Sequence, residues 1–134
     1  MTQENKNLLL VDLSARLPYT CRVFYEYVDD LDGKTYGYSL TLNTWCINEF
    51  VANKAVVKPY LRPMSSMTEE ERKEYEGFII HREHVNAQGQ EWDINCFSFD
   101  TVPSLIDWLN SHHFDYRGLI EKGLAIEAVD TYNP

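Results

Sequence analysis

An alternating run of large and small side chains constrains the fold of this chain most strongly. The larger residues are Tyr36, Tyr38, Leu40 and Leu42, and the smaller ones between and after them are Gly37, Ser39, Thr41 and Asn43. A period of two predicts a β-strand with one buried face and one hydrated face. The preceding stretch 21–28 is β-branched and aromatic, and Asp32-Gly33 between the two runs is a turn signal. Residues 21–43 therefore predict an antiparallel hairpin.

Two further apolar runs, 78–85 and 92–99, flank the polar stretch 86–90 and predict a second hairpin. The apolar parity of the second run changes between Cys96 and Phe97, which predicts either a bulge or a strand covered on both faces. The pattern of residues 44–57 is weaker and leaves a strand and a loop open, with a third strand closing at residues 55–57.

Two helices are predicted before the second hairpin. Leucines three and four positions apart predict a helix over 6–17, which Pro18 ends; a strand through Leu8–Val11 is the alternative. The second helix lies within 65–77, where Thr68 and Glu71 form a capping box and Gly77 supplies a left-handed stop. Its polar composition places this helix at the surface.

Residues 101–128 carry the densest apolar pattern. Pro103 fits the first turn of a helix, and the buried stripe is formed by Leu105, Ile106, Trp108 and Leu109, extended by Val102 and Phe114. His112 and His113 fall in its last turn. A second short helix is predicted over about 116–122, ended by Gly123, and residues 125–126 predict a short final strand.

These elements predict an α+β fold, with a small antiparallel sheet of two hairpins packed against helices. The 134 residues, 44% of them apolar, fit one globular domain spanning 1–134, with frayed ends at 1–5 and 130–134.

Charge and cysteine content narrow the possible partners and compartment. The formal net charge of −9 disfavours direct binding to nucleic acid and to anionic membranes, although a nucleic-acid mimic stays an alternative. Three distant cysteines without a Cys-x-x-Cys motif predict neither a disulfide framework nor a cysteine-based zinc site. The polar N-terminus has no signal-like apolar run, so a cytoplasmic location is expected.

The segment 58–63 is the most basic part of this acidic chain. Its two prolines, four positions apart, predict an extended connector instead of a regular helix or strand. A stiff, basic and aromatic segment loses little entropy on binding, so Lys58, Tyr60 and Arg62 are predicted to contact a partner. The alternative is that these charges pair with nearby acids at the surface.

Histidines provide the candidates for chemistry. His112, His113 and Asp115 are the residues of an alternative function, a small hydrolase or metal-dependent enzyme. Adjacent helical residues point about 100° apart, which argues against convergence. His81 and His84 point to opposite faces if 78–85 is a strand, and cannot then share a metal ion. No cofactor is predicted, because the glycines match neither the Walker nor the Rossmann pattern.

Two blocks of this chain carry a family resemblance: residues 58–71 (KPYLRPMSSMTEEE) and 107–125 (DWLNSHHFDYRGLIEKGLA), with a weaker third at 13–19. Together they cover about a third of the chain, and the sequence resembles a family of small uncharacterised proteins from gut bacteria and their phages. The resemblance implies an origin in a phage or mobile element and transfers no catalytic residue. The expected function is a non-enzymatic protein-interaction module.

Overall fold

The computed structural model describes residues 1–78, 80–85, 89, 91–96, 102–129 and 131–132. The helices are α1 (Gln3–Arg16), α2 (Thr44–Val51), α3 (Glu69–Glu76) and α4 (Val102–Ser111), and the strands are β1 (Arg22–Val28), β2 (Thr35–Thr41), β3 (Ala55–Leu61), β4 (Ile80–Val85), β5 (Glu91–Cys96) and β6 (Ile126–Glu127). This content confirms the α+β class. The chain forms two compact units, Met1–Met64 with Leu109–Pro134, and Ser65–Trp108.

The first unit contains a four-stranded sheet in the order β2-β1-β3-β6. Strand β1 pairs antiparallel with both β2 and β3, whereas β6 pairs parallel with β3, so the sheet is mixed. The first hairpin has the predicted pairing, but the predicted single antiparallel sheet of two hairpins is wrong. The second hairpin, β4 with β5, forms a two-stranded sheet of its own.

Helix α1 agrees with the prediction and begins earlier than expected. The Thr2 hydroxyl caps it by accepting a hydrogen bond from the Asn5 amide at 3.1 Å, so the first turn lies within the stretch expected to fray. Leu9 and Leu13, one turn apart, are fully buried. After Arg16 the chain tightens into a 3₁₀ turn that contains Pro18. The core of the first unit lies between α1, α2 and the four-stranded sheet, and its central side chains are Leu9, Leu13, Val23, Tyr25, Cys46, Phe50, Val57 and Leu61.

Residues 44–51, for which a strand or a loop was expected, form helix α2. The Asn43 side chain caps it by accepting from the Cys46 amide at 3.0 Å, and Cys46 and Phe50 turn inward one helical turn apart. Asn53, with φ 60°, takes the left-handed position after the helix. An asparagine tolerates that conformation better than most residues. The predicted third strand is confirmed as the start of β3.

The predicted connector 58–63 is wrong, because residues 58–61 belong to β3, an interior strand of the sheet. The alternation of the antiparallel ladder turns the Pro59 nitrogen away from β1. On that side β6 pairs with β3 only at Tyr60 and Leu61. The missing N–H of Pro59 therefore removes no hydrogen bond from either neighbour, which explains a proline inside the sheet.

Helix α4 ends at Ser111, and His113 takes the left-handed position with φ 62°. The amide of Phe114 donates to the Leu109 carbonyl at 3.0 Å, and that of His113 to the Asn110 carbonyl at 3.1 Å, which is a Schellman end. Of the predicted stripe, Leu105 and Leu109 are buried, whereas Val102 is exposed.

The predicted second helix over 116–122 is wrong. Gly118 has φ 72°, which breaks helical geometry inside that span, and only a turn forms around residues 119–123. Gly123, also at φ 72°, ends this turn as expected. The final strand is β6, one residue later than predicted.

Tyr132 fastens the end of the chain to the sheet. Its hydroxyl accepts from the Arg22 amide at 2.8 Å and donates to the Tyr60 carbonyl at 2.7 Å. The register of β1 and β3 places these two backbone groups opposite each other. The Tyr132 hydroxyl therefore bridges the two strands where a backbone hydrogen bond would otherwise continue the ladder. Tyr132 is thus bonded to the sheet, and the fraying of residues 130–134 stays a prediction. The other predicted frayed positions in 130–134, apart from residue 131, lie outside the described residues.

The second unit contains α3 and the hairpin of β4 and β5. Both bonds of the capping box between Thr68 and Glu71 are present, as predicted. Gly77 has φ −62°, so the expected left-handed stop is wrong. The indole of Trp108 donates to the Glu74 carboxylate at 2.7 Å and its ring lies beside Tyr75. Pairing from Ile80 with Cys96 to Val85 with Glu91 proceeds residue by residue, without a bulge, and Phe97 and Phe99 lie outside the described residues.

Candidate partner-binding surface

Lys58, Tyr60 and Arg62 occupy alternate positions along β3 and its continuation, so they point to the sheet face opposite the core. Each is half-buried. The Tyr60 hydroxyl forms a 2.8 Å hydrogen bond with that of Ser39, and the Arg62 guanidinium lies 4.3 Å from the centre of the Phe114 ring. The structure thus brings the three residues to one face, where two of them contact this chain. Their role in partner binding stays a prediction.

His112, His113 and Asp115 lie close in sequence but have separate partners. The His112 ring stacks on Phe114, whereas the His113 ring stacks on Tyr132 with 3.8 Å between ring centres. The buried Asp115 carboxylate accepts hydrogen bonds from the amides of Leu119 and Ile120 at 2.8 and 2.9 Å. A carboxylate that caps a turn in this way does not orient a histidine as a general base.

Burial controls the protonation of His113. Loss of hydration, followed by the positive charge of Arg16, lowers its pKa from 6.5 to about 4. Its Nδ1 atom is buried and has no hydrogen-bond partner among the described residues. The ring therefore stays neutral at pH 7.

We expect the free energy of unfolding to fall as the pH is lowered from about 6.5 to 4. In that window the unfolded chain binds a proton at His113 that the folded chain rejects, and one such proton gives a slope of at most about 1.4 kcal/mol per pH unit. Asparagine fits the left-handed backbone and does not titrate. Urea unfolding of His113→Asn at several pH values should show a smaller slope than the wild type; an equal slope would contradict this account.

His81 and His84 lie on β4, a strand as expected, where they differ in parity. Over the part of the chain that the structure describes, no group of three or more histidine, cysteine, aspartate or glutamate side chains is placed to hold a metal ion.

A buried charge cluster connects α1 with the segment after α4. Asp12 and Arg16 are both fully buried, and the Asp12 carboxylate accepts from Arg16 Nε and from Arg117 Nη1, each at 2.8 Å. Arg16 Nη2 donates to the Phe114 carbonyl at 2.6 Å. Sequence reasoning missed this cluster, although the four-residue spacing of Asp12 and Arg16 within a leucine-rich helix was a signal for it.

The largest aromatic group of the first unit lies on the core-side face of β1 and β2, where the first turn of α2 packs against it. We call Tyr27, Tyr36, Tyr38 and Trp45 the tyrosine surface; the buried Tyr25 lies beneath it. Tyr25 stacks against Trp45 at 4.8 Å between ring centres and contacts Tyr38 at 5.4 Å. Tyr36 and Tyr38 are 43% and 44% exposed and Trp45 is 46% exposed. The predicted burial of this face of β2 is therefore wrong at the two tyrosines, whereas Leu42 is buried and Leu40 packs against the core. The edge position of β2 in the sheet explains the exposure.

Strand β2 also offers backbone groups along its outer edge. The Leu42 amide donates to the Cys21 carbonyl, and the Asp29 amide to the Lys34 carbonyl, both at 2.8 Å. The backbone N–H and C=O groups of the even-numbered residues of β2 therefore point toward β1. Alternation then directs the N–H and C=O groups of Thr35, Gly37, Ser39 and Thr41 outward. In the strand order of this sheet β2 is an outer strand, and none of the described strands pairs with its outer edge. Such a row of backbone groups can pair with an added strand.

Acidic side chains border the tyrosine surface. The Asp32 carboxylate accepts a hydrogen bond from the Tyr36 hydroxyl, and this bond, with one from the Lys34 amide, lowers the pKa of Asp32. Burial and then the negative charge of Glu49 raise the pKa of Tyr25. The turn between β1 and β2 holds three aspartates and one lysine, so the negative charge prevails at this end.

A cleft of about 350 Å³ lies at the hairpin end of the sheet and shares Tyr27 and Thr35 with this region. Lys6 and Phe50 are also part of its lining. The Lys6 ammonium donates to the Val51 carbonyl at 3.3 Å and to the Asn53 side chain. Lys6 thereby supplies a hydrogen-bond donor to a carbonyl group at the C-terminal end of α2. This role explains why Lys6 lines the cleft without a bound ligand.

Comparison of the chain with models of protein families, with curated proteins and with solved structures finds no match. Within the described residues, none of the helices has the length and apolar character needed to cross a membrane. The surface must therefore be interpreted from its own geometry.

Proposed function

We propose that this protein is a non-enzymatic interaction module that binds an extended segment of another protein along the outer edge of β2. The observation that carries the proposal is the tyrosine surface beside an exposed strand edge. Tyrosine and tryptophan dominate the energetic centres of protein interfaces, because they bury a large area with few rotatable bonds. A strand edge supplies affinity through its backbone, and the neighbouring side chains supply specificity.

A strand added to β2 would contact both the exposed backbone edge and the tyrosine surface. The outward groups of Thr35, Gly37, Ser39 and Thr41 pair with its backbone, and every second side chain of the added strand then lies on the same face as Tyr36 and Tyr38. A second copy of this chain is a poorer occupant, since it would bring two acidic hairpin turns and two chains of net charge −9 together.

The predicted function, an interaction module, is thus retained, but its main contact region is β2 with the tyrosine surface instead of the segment 58–63. Lys58, Tyr60 and Arg62 remain a proposed secondary contact on the opposite face of the sheet. The separate partners of His112, His113 and Asp115 favour the interaction module over the hydrolase alternative. The cytoplasmic location and the phage or mobile-element origin remain proposals that rest on composition and resemblance.

Ser39→Pro is the sharpest test of edge pairing. Proline removes an outward N–H at the middle of β2, a position where an edge strand tolerates it. Peptides selected by the wild-type protein from a random ten-residue library should bind Ser39→Pro at least tenfold more weakly. Ser39→Ala is the matched control, since it also loses the hydroxyl bond to Tyr60 but keeps the N–H, and it should bind like the wild type.

Two outcomes would overturn the proposal. One is a failure of the peptide test, either because Ser39→Pro and Ser39→Ala bind equally or because no peptides are enriched. The other is a dimer of the wild-type chain in sedimentation that Ser39→Pro converts to a monomer, since a second copy would then occupy the edge.

A further inference from the structure

We infer that the segment bound along β2 is basic, with lysine or arginine side chains lying over the tyrosine surface. This inference rests on the proposed function and specifies the chemistry of the partner. The reason is that the half-exposed rings of the tyrosine surface lie beside the carboxylates of Asp32 and Glu49.

The exposed aromatic rings attract cations. A guanidinium or ammonium group within about 6 Å of a tyrosine or tryptophan ring is attracted by the negative face of the ring. Tyr36, Tyr38 and Trp45 are each between two-fifths and one-half exposed, so part of each side chain is accessible while each ring also contacts Tyr27 or Tyr25. The chain itself already uses this interaction elsewhere, where Arg62 lies over Phe114.

Carboxylates at the tyrosine surface also attract cations. Asp32 is bonded to the Tyr36 hydroxyl at one end of the surface, and Glu49 lies one turn of α2 after Trp45, which stacks on Tyr25. A cation over the rings is therefore attracted by the carboxylates of both Asp32 and Glu49. An acidic or phosphorylated segment would meet repulsion from the same groups.

The alternation of a strand sets the pattern of the partner. Side chains directed at the tyrosine surface recur at every second position, about 6.8 Å apart along the added strand. The inferred ligand thus carries lysine or arginine at alternate positions, and its intervening side chains point to the other face of the sheet.

The test compares each peptide selected from the ten-residue library with a version in which every lysine and arginine is replaced by glutamine. At low salt the basic version should bind the wild type at least tenfold more tightly, and the advantage should shrink as salt screens the charges. In the variant Asp32→Asn with Glu49→Gln, the advantage should fall below threefold. Glu127→Gln, on the opposite edge strand β6, is the charge control and should keep the full advantage.

The outcomes separate this inference from the proposed function. If selected peptides are neutral or acidic, or if the glutamine versions bind as tightly, the basic partner is excluded, while loss of binding in Ser39→Pro would still support pairing along β2. If Ser39→Pro binds the peptides as the wild type does, the proposed function itself fails.

Discussion

Replacing Asp12 by alanine should lower the free energy of unfolding by about 3–5 kcal/mol, the range for breaking one partner out of a buried ion pair. The carboxylate is fully buried and is the anion for both Arg16 and Arg117. Without it the guanidinium of Arg16, also fully buried, has no counter-charge in the cluster. The loss approaches the total stability of many small domains, so urea unfolding at pH 7 should show it clearly.

Glu4→Ala is the matched control, because it removes an exposed carboxylate from the same helix and should cost about 1 kcal/mol or less. A cost for Asp12→Ala as small as that of Glu4→Ala would contradict the account of the cluster. Replacing Asp12 by leucine and both arginines by methionine should restore part of the stability, since apolar side chains of similar size often replace buried ion pairs without loss. That result would show that the loss in Asp12→Ala comes from the uncompensated charge of Arg16 more than from a net contribution of the ion pair to stability.

Trp45→Ala should weaken binding of the selected peptides by about 30-fold, which corresponds to about 2 kcal/mol, the threshold for a dominant interface residue. Trp45 is 46% exposed and stacks on Tyr25, so it is held rigid and presents a face to a ligand. The expected cost to stability is smaller, about 1 kcal/mol for the lost ring pair. Titration calorimetry with wild-type and variant protein measures the first effect, and urea unfolding measures the second.

Val51→Ala provides the control on the same helix. Val51 is 49% exposed and lies at the other end of α2, so its truncation should leave the affinity unchanged. Equal affinities of Trp45→Ala and Val51→Ala would remove the tyrosine surface from the binding site.

Local patterns predicted the elements whose causes are local. Thr68 and Glu71 satisfy the first amides of α3 from within four residues, and Pro18 ends α1 through its own ring. The hairpin of β1 and β2 followed from alternation and from the turn at Asp32-Gly33. Helix α2 was missed because its cap, Asn43, also completes the alternating run of the preceding strand.

Two local rules failed because position in the sheet decides their effect. The rule against proline in a strand does not apply to Pro59, whose nitrogen faces the side where no strand pairs with it. The alternation of β2 indicated a buried face, but a strand at the edge leaves Tyr36 and Tyr38 half-exposed. The strand order and the register cannot be predicted from the residues of β2 or β3 alone, because both depend on which other strands pair with them.

The candidate site depended on the tertiary structure almost entirely. The sequence by itself determined that the chain is acidic, rich in tyrosine and built from helices and strands, because composition and periodicity are properties of short segments. Only the folded chain decided that Tyr27, Tyr36, Tyr38 and Trp45 share one surface beside a strand edge, and that Asp12 meets Arg117 across 105 intervening steps of the chain. These contacts are long-range, and their physical cause is the burial of the core that brings the distant segments together.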